Sequence, residues 1–465
     1  MVLGPQGPGR VGRRQATSKE DHDLNEIMVL FLCVLDDHLF LRLTERMGFA
    51  TLLVCNLFMD AQVYKRGDEV MEIRQLQREE FEAAIELSQY AFQFTMSLED
   101  LEKSKKKFKP EQTWGIFDGH DLNAKLTLLP LQVYINGQVF DMGGIAGVAT
   151  WPEKRRGGMV SRLLTHALEE MKSAGQSLSF LHPFSFAFYR KFGWETYIEY
   201  KKYVIPIDKF PAKLKTEGTV KRDVKDISEL DQVYQAYASR YNGTLVRDKE
   251  WWQERILNEN YRTAVYYSET GDPQGYALYK IEDKQLNCDE LVYENETARR
   301  ALWTYFANHD SMIAQGKFNY VPADDNLPFL LDDPRIQQET VPYFMGRIVD
   351  AAAFIERYPF EQIGEETSLT LNLTDRYAPW NDGLWRLTIT TEGQGHLERV
   401  DISNSSENAI VADLKLGIQS LTTLMLGYQQ ADDLYNWGRI EGSSESVSAL
   451  KRVIPVKQTF LLDFF

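Results

Sequence analysis

The chain has 465 residues, 43% of them hydrophobic and 12% aromatic, with 52 basic against 68 acidic side chains and a net charge of −16 at pH 7. That apolar share is ordinary for folded protein and excludes a mainly disordered chain; at about 150 residues per domain, the length implies roughly three domains. The acidic balance argues against a nucleic-acid or anionic-membrane binder and suits a cationic partner, while also serving solubility. Three cysteines, Cys33, Cys55 and Cys288, stand far apart with no CxxC pair. This excludes a disulfide framework and a thiolate zinc site and fits reduced thiols in a cytoplasmic protein.

Residues 1–26 are rich in Gly, Pro and Arg and then charged, and two apolar runs follow at 27–35 and 49–59. Neither reaches the ~20 residues of a bilayer-spanning helix. Acidic residues separate the basic start from the first apolar run, unlike a signal peptide. Residues 1–70 are therefore expected to form a poorly ordered extension, with the folded protein starting at Met71.

From there strands and helices interleave. Residues 71–76 (MEIRQL) alternate like a strand and 79–92 carry helical periodicity. Residues 114–117 and 124–135 are apolar strands, Asn136-Gly137 between 134–135 and 139–140 is a hairpin turn signal, and 143–150 is another strand. A helix over 157–174, a strand over 177–181, a short segment at 186–192 and a strand over 195–205 complete the first block. A second block, 206–350, repeats the rhythm: helices at 224–241, 248–257 and 297–309, strands at 263–268 and 275–281. The third, 351–465, has strands at 368–374 and 383–391, helical runs around 413–416 and 419–426, and a closing strand over 458–465. The composite is an α+β (α/β layered) architecture.

The most informative run is Val148-Ala149-Thr150-Trp151-Pro152-Glu153-Lys154-Arg155-Arg156-Gly157-Gly158-Met159-Val160-Ser161. A strand ends, a basic glycine-containing turn follows and a helix opens, so free backbone N–H groups and the helix dipole favour an anion there. Glycine admits close approach of a phosphate, and the arginines add charge-assisted donors. Neither GxxxxGK[ST] nor GxGxxG is present. Taken alone, the run reads equally as a pyrophosphate cradle and as a basic helix cap.

The next landmark, Phe188-Tyr189-Arg190-Lys191-Phe192-Gly193-Trp194, follows the next strand. Together the two resemble the acyl-CoA-binding core of the GNAT N-acetyltransferase superfamily, whose turn reads Arg/Gln-x-x-Gly-x-Gly/Ala and whose second landmark is a short helix bearing a tyrosine. Here Val160 stands at the turn's last anchor. From Met71 onward the chain resembles the Eis-like (enhanced intracellular survival) branch. Residues 345–350 (MGRIVD), Asp413-Leu414, Leu421 and Leu426-Gly427, and the apolar terminus add to that likeness.

The resemblance implies tandem GNAT-type domains, catalytic over 71–205 and degenerate over 206–350, then a sterol-carrier-like α+β domain over 351–465. It implies acetyl-CoA as co-substrate, with Val148, Ala149 and Thr150 offering strand backbone to the pantetheine and thioester. Arg155, Arg156, Gly157, Gly158, Met159, Val160 and Ser161 would hold the pyrophosphate, and Phe184 and Ser185 would border it. The second block's Glu294–Leu302 stretch has no glycine after its arginine pair, so no second acetyl-CoA site is expected; this block would wall the substrate cleft.

Acetyl transfer needs a neutral amine, a polarised carbonyl and a proton for the departing thiolate. Backbone N–H of the strand can polarise the carbonyl, and a phenol of pKa ~10 can protonate a thiolate of reference ~8.5. Among 23 tyrosines a core role is the usual reading, but position within FYRKFGW assigns Tyr189 to the proton. The resemblance places the terminal carboxylate of Phe465 in the active site. A carboxylate of pKa ~3.5 is a weak base for an ammonium, so holding the amine cation and relaying its proton through water suits it better. Phe464 stands where mycobacterial relatives carry an acid.

His166 reads as structural and His182 as a supporting residue. Lys103–Lys109 reads as a solvated face, and Phe92 and Phe94 as pocket or core. No His/Asp/Glu cluster has metal-ligand spacing, so no metal is expected. The expected activity is acetyl-CoA-dependent N-acetylation of primary amines on cationic small molecules (aminoglycoside-like) or lysine side chains, by direct transfer in a ternary complex. By resemblance the protein is a homo-oligomer, a hexamer. The alternative is a lipid or apolar-ligand carrier, or a scaffold, with an inactive acetyltransferase domain.

Overall fold

The computed structural model describes residues 71–257, 259–401 and 411–465; the expectation for residues 1–70, with Cys33 and Cys55, lies outside the described residues. In chain order the first part is β1 (Glu72–Gln75), α1 (Phe81–Phe92), α2 (Leu98–Lys107), β2 (Thr113–Asp118), β3 (Asp121–Ile135), β4 (Gln138–Thr150), α3 (Met159–Ser173), β5 (Leu178–Leu181), α4 (Phe186–Arg190) and β6 (Glu195–Thr196). The second is β7 (Glu199–Pro206), β8 (Thr219–Arg222), α5 (Ile227–Ala238), α6 (Lys249–Trp251) running into a π-turn (Trp252–Ile256), β9 (Arg262–Tyr267), β10 (Pro273–Glu282), β11 (Gln285–Tyr293), α7 (Glu296–Ala307), β12 (Gln315–Pro322), β13 (Gln337–Pro342) and β14 (Met345–Ile348). The third is α8 (Ala351–Arg357), β15 (Thr367–Thr374), β16 (Gly383–Ile389), β17 (Gly395–Arg399), β18 (Leu414–Gly417), α9 (Ile418–Met425), α10 (Ala431–Asn436), β19 (Ile440–Gly442) and α11 (Ser444–Val453).

These build two seven-stranded sheets, β1-β2-β3-β4-β5-β14-β6 and β13-β7-β12-β11-β10-β9-β8, and a five-stranded sheet, β17-β16-β15-β18-β19. Each is covered by helices whose buried residues follow helical spacing. On α3 these are Met159, Leu163, Leu164, Ala167, Leu168 and Met171. The β3–β4 hairpin turns at Asn136 (φ 49°) and Gly137 (φ 77°), both left-handed, as a two-residue turn between right-twisted strands requires. No described helix is long and apolar enough to cross a membrane.

Three expectations need correction. The strand over 195–205 is two strands in two sheets: consecutive Tyr197 and Ile198 are both fully buried, so alternation fails there and the chain crosses from the first sheet to the second. In exchange, β14 returns to the first sheet, antiparallel to both β5 and β6. Residues 414–417 form a strand, parallel to β15 and antiparallel to β19, with Leu414 and Leu416 buried on one face. The closing segment 458–465 is docked chain, joined to the rest by one isolated bridge, Asn242↔Thr459. Its side chains are buried on successive positions from Thr459 to Asp463, which a strand with one solvated face cannot provide.

Candidate active site

The β4–β5 ladder is parallel and its last pair is Ile145↔Leu181. Beyond it β4 continues to Thr150, while the chain after β5 leaves through His182 toward α4. The two strands fork there, and one backbone edge of Gly147–Thr150 loses its partner strand. Thr150 is buried, and its hydroxyl has no hydrogen-bond partner in the protein. An orphaned buried hydroxyl costs about 1–3 kcal/mol, and a bound polar group in the fork would offset that.

At the end of β4 the basic turn delivers α3. Gly158 is its N-cap at φ 73°, and no side chain caps the helix. The first N–H groups, on Met159, Val160 and Ser161, are therefore left for an external acceptor. Arg156 is also left-handed, at φ 63°, and Arg155, Arg156 and Gly158 are exposed. The contrast with α7 is direct: there Asn295 caps the helix, its side chain accepting from Ala298 N–H at 2.9 Å. The second block's helix start has a side-chain acceptor of its own, whereas that of α3 has none.

Tyr189 lies on α4, one short turn capped by the Ser185 hydroxyl, which accepts from Phe188 N–H at 3.3 Å. Its ring packs between Phe184, Phe188 and Trp194, with centroids 5.4, 5.2 and 6.4 Å away. Burial raises its pKa above the ordinary phenol value. Phe184 stands 72% exposed beside it. Met159 and Tyr189 share one core cluster with partly buried Val148 and Val160 packed on it, and Ala149 is buried in a neighbouring cluster. While Ala149 packs with Ala84 and Leu87 of α1 on one face of the sheet, the structure thus places Val148, Met159, Val160 and Tyr189 on the α3 side.

Phe465 lies on the opposite face. A Cβ on Gly143 would meet Met171 of α3, whereas one on Gly144 would stand 2.8 Å from the Phe465 ring. Phe465 also packs on Phe344 and Trp251. A cavity of about 600 Å³ opens on this face, lined among others by Phe81 of α1, Phe108, Lys125 and Leu131 of β3, and Trp251. Asp248, Glu250, Glu254 and Arg255 supply its far wall, so the second block does wall a cleft. Its rim is closed by two ion pairs, Lys107–Glu254 at 3.0 Å and Lys109–Glu250 at 2.8 Å. The lysine run is thus partly a latch on the facing wall. Phe92 and Phe94 are exposed and line neither this cleft nor the core.

His182 is exposed beside the rings of Tyr343, Phe344 and Phe464, and desolvation by its surroundings lowers its pKa. His166 packs edge-on to Trp114 in α3's interface with the sheet. Two buried charge clusters escaped the sequence reading. Arg247 joins Glu290 and Asp463, holding the C-terminal tail. Arg347 of β14 pairs with Asp375 at 2.6 Å and donates to the Phe192 carbonyl. A Cβ on Gly193 would collide with that guanidinium, so the glycine of the Tyr-x-x-x-Gly-Trp landmark serves a joint with the third sheet. No group of three or more His, Cys, Asp or Glu among the described residues could hold a metal.

The comparisons with known proteins agree with this geometry. An acetyltransferase (GNAT) domain model matches residues 72–197, a second acetyltransferase (GNAT) domain model matches 243–348, and a sterol carrier protein domain model matches 351–462. An uncharacterized N-acetyltransferase of Streptomyces griseus is 27% identical over 337 residues, covering 66% of this chain and 78% of that protein. N-acetyltransferase Eis of Mycobacterium tuberculosis is 22% identical over 336 residues, covering 67% and 79%. The crystal structure of a probable N-acyltransferase from Enterococcus faecalis superposes with a TM-score of 0.79 at 28% identity, covering 85% of this chain and 100% of that one. The forked strands and uncapped helix thus belong to a GNAT acyltransferase, an enzyme with tandem GNAT domains and a sterol carrier domain. Within that superfamily the chain belongs to the Eis-like acetyltransferases.

Proposed function

We propose that the protein transfers acetyl from acetyl-CoA to a primary amine of a cationic small molecule or a lysine side chain, in a ternary complex assembled across the β4–β5 fork. The observation that carries this reading is the uncapped start of α3 at Gly158 beside the fork. Bound acetyl-CoA supplies the acyl group. Arg155, Arg156 and the N–H groups of Gly157 to Ser161 hold its pyrophosphate, Val148 to Thr150 orient the thioester, and Phe184 and Ser185 border it. Tyr189, kept protonated by burial, gives its proton to the leaving sulfur. The carboxylate of Phe465 holds the incoming amine, and residues 206–350 close the acceptor side. The net charge of −16 supports a cationic acceptor, although the cleft itself mixes Lys and Arg with Asp and Glu. A thiol-release assay over a panel of amines tests the activity; binding of acetyl-CoA without release from any amine would refute it.

Two further outcomes follow. Gly158 has a left-handed φ, and a Cβ there meets no atom within 4 Å. Gly158→Val therefore acts through backbone strain of about 1–2 kcal/mol at the cradle, weakening coenzyme A by about tenfold in a titration while the core stays intact. Residues appended after Phe465, whose side chain is buried, should raise KM for the amine more than for acetyl-CoA in steady-state kinetics.

A further inference from the structure

The reading above leaves one step without an agent. An amine arrives mostly as an ammonium and must lose a proton before attack, and a terminal carboxylate of pKa ~3.5 is a poor acceptor for it. On the acceptor face of the sheet stands a side chain that no function so far has absorbed. Lys125 sits in the first half of β3, 5% exposed, between Ala124 and Leu126. It lines the 600 Å³ cleft together with Thr113 and Thr127. Its Nζ reaches the carbonyl of Gly147 at 3.4 Å, a long hydrogen bond, and makes no ion pair among the described residues. A buried lysine without a carboxylate is costly in its charged form.

The place it reaches is the irregular part of β4. The β3–β4 register jumps between Lys125↔Ala149 and Thr127↔Ala146, so Gly147 and Val148 form a bulge. Gly147 is left-handed at φ 57°, and a Cβ on it would stand 3.5 Å from both Lys125 Nζ and Thr127 Oγ1. Bulges re-aim strand backbone and recur beside active sites. This one contains Val148, the first residue of the backbone assigned to the thioester. We propose that Lys125 is the catalytic proton acceptor for the attacking amine, its Nζ set at the floor of the acceptor cleft beside the bulged thioester strand.

This inference rests on the acetyltransferase reading. The neutral Nζ lone pair takes one proton from R–NH3+. The freed R–NH2 forms the N–C bond as the C–S bond breaks, and the thiolate takes the Tyr189 proton. The second proton leaving nitrogen restores Tyr189, and Lys125 returns its own to solvent. The sum is R–NH3+ plus acetyl-CoA giving the amide, coenzyme A and one proton. Burial alone pushes the Lys125 pKa down, to about 8, which suits a base working near neutral pH. The other charged groups of the cleft are engaged elsewhere. Glu250 and Glu254 pair with Lys109 and Lys107, Asp248 caps α6 through Trp251 N–H, and Arg255 lies over the Trp251 ring.

The test compares wild type, Lys125→Met and Lys125→His with acetyl-CoA and spermidine, or Nα-acetyl-lysine if spermidine is not turned over. Wild-type kcat/KM should rise with pH through a midpoint near 8. Lys125→Met should lose about 10²–10⁴-fold in kcat and that limb of the profile, while keeping the coenzyme A-induced shift in Tm; Lys125→His should move the midpoint downward. Folding is checked in the same samples. Because the charged lysine is disfavoured in the folded state, Lys125→Met should melt above wild type at pH 7, an advantage that fades as pH climbs from about 8 toward the unfolded value of ~10.4. An active wild type whose pH limb survives in Lys125→Met overturns this assignment alone. So does an acetyl group found on Lys125 by mass spectrometry after turnover, since an amide cannot take the proton. A wild type that releases no coenzyme A overturns it together with the acetyltransferase reading.

Discussion

Replacing Tyr189 by phenylalanine is expected to lower kcat by about 10²–10⁴-fold, the usual contribution of a positioned general acid, with KM for both substrates nearly unchanged. The ring must remain, because Tyr189 is 3% exposed and fills the space between Phe184, Phe188 and Trp194. Phenylalanine keeps those contacts, so the coenzyme A-bound Tm should match wild type, whereas Tyr189→Ala would confound chemistry with a cavity costing about 3–5 kcal/mol. Burial raises the phenol pKa, and the sign is simple: the proton stays on as pH rises, so the group remains a competent acid beyond the ordinary ~10. The wild-type rate should therefore show no alkaline fall assignable to this group up to about pH 10. A Tyr189→Phe enzyme of undiminished kcat in single-turnover thiol release would show that the leaving sulfur takes its proton from elsewhere.

What was legible in the sequence was whatever local pattern decides. The periodic apolar positions of α1 and α3, the Asn136-Gly137 turn and the basic run before α3 each carry their structure within a dozen residues. Lys125 was invisible because a lone lysine in an apolar strand gives no sign of which face covers it; α1 and the segment around Trp251, over a hundred residues on, decide that. Strand β11 was missed for a related reason. Its inward positions are Leu286, Cys288, Glu290 and Val292, and the glutamate spoils an apolar alternation that Arg247 and Tyr276 make tolerable. The break at Tyr197-Ile198 cannot be read from a segment that alternates on both sides of it. Half of the FYRKFGW landmark also proved to be a joint: Arg347 brings its guanidinium from another strand against Trp194 and Gly193. A motif's spacing shows that its residues belong together, not that all of them serve one purpose.

The same long-range logic makes Arg247 the most consequential buried side chain of the second block. Arg247→Met is expected to destabilise the protein by about 3–5 kcal/mol, the range for breaking a buried ion pair from one side. The guanidinium donates two bonds to Glu290, at 2.6 and 3.1 Å, and one to Asp463 at 2.9 Å. It stacks on Tyr234 and Trp252, 3.9 and 4.7 Å from their centroids. Burial opposes its charge, yet the two carboxylates outweigh that and raise its pKa. Tyr276 donates to Glu290, and Trp251 donates to Asp463 at 2.7 Å. Methionine would leave two carboxylates with neutral donors alone, forcing them to bind protons or draw in water. Asp463 is also the anchor of the tail: its carbonyl accepts from the Tyr343 hydroxyl at 3.0 Å, and buried Phe460, Leu461, Leu462 and Phe465 flank it. Those four side chains are worth about 1.5–3 kcal/mol each when fully buried, more than an unsatisfied Asp463 would cost. Asp463→Asn should therefore lose about 1–3 kcal/mol and keep the tail docked, because Arg247 retains Glu290. Urea unfolding midpoints rank the two variants, and limited proteolysis reads the tail: the apolar contacts should keep the chain after Gln458 largely protected in both, with Arg247→Met cleaved faster than Asp463→Asn because its folded state is the less stable. Equal midpoints for Arg247→Met and wild type would mean that the cluster is a passive feature of the core and that apolar contacts alone seat Phe465 against Gly144, Phe344 and Trp251.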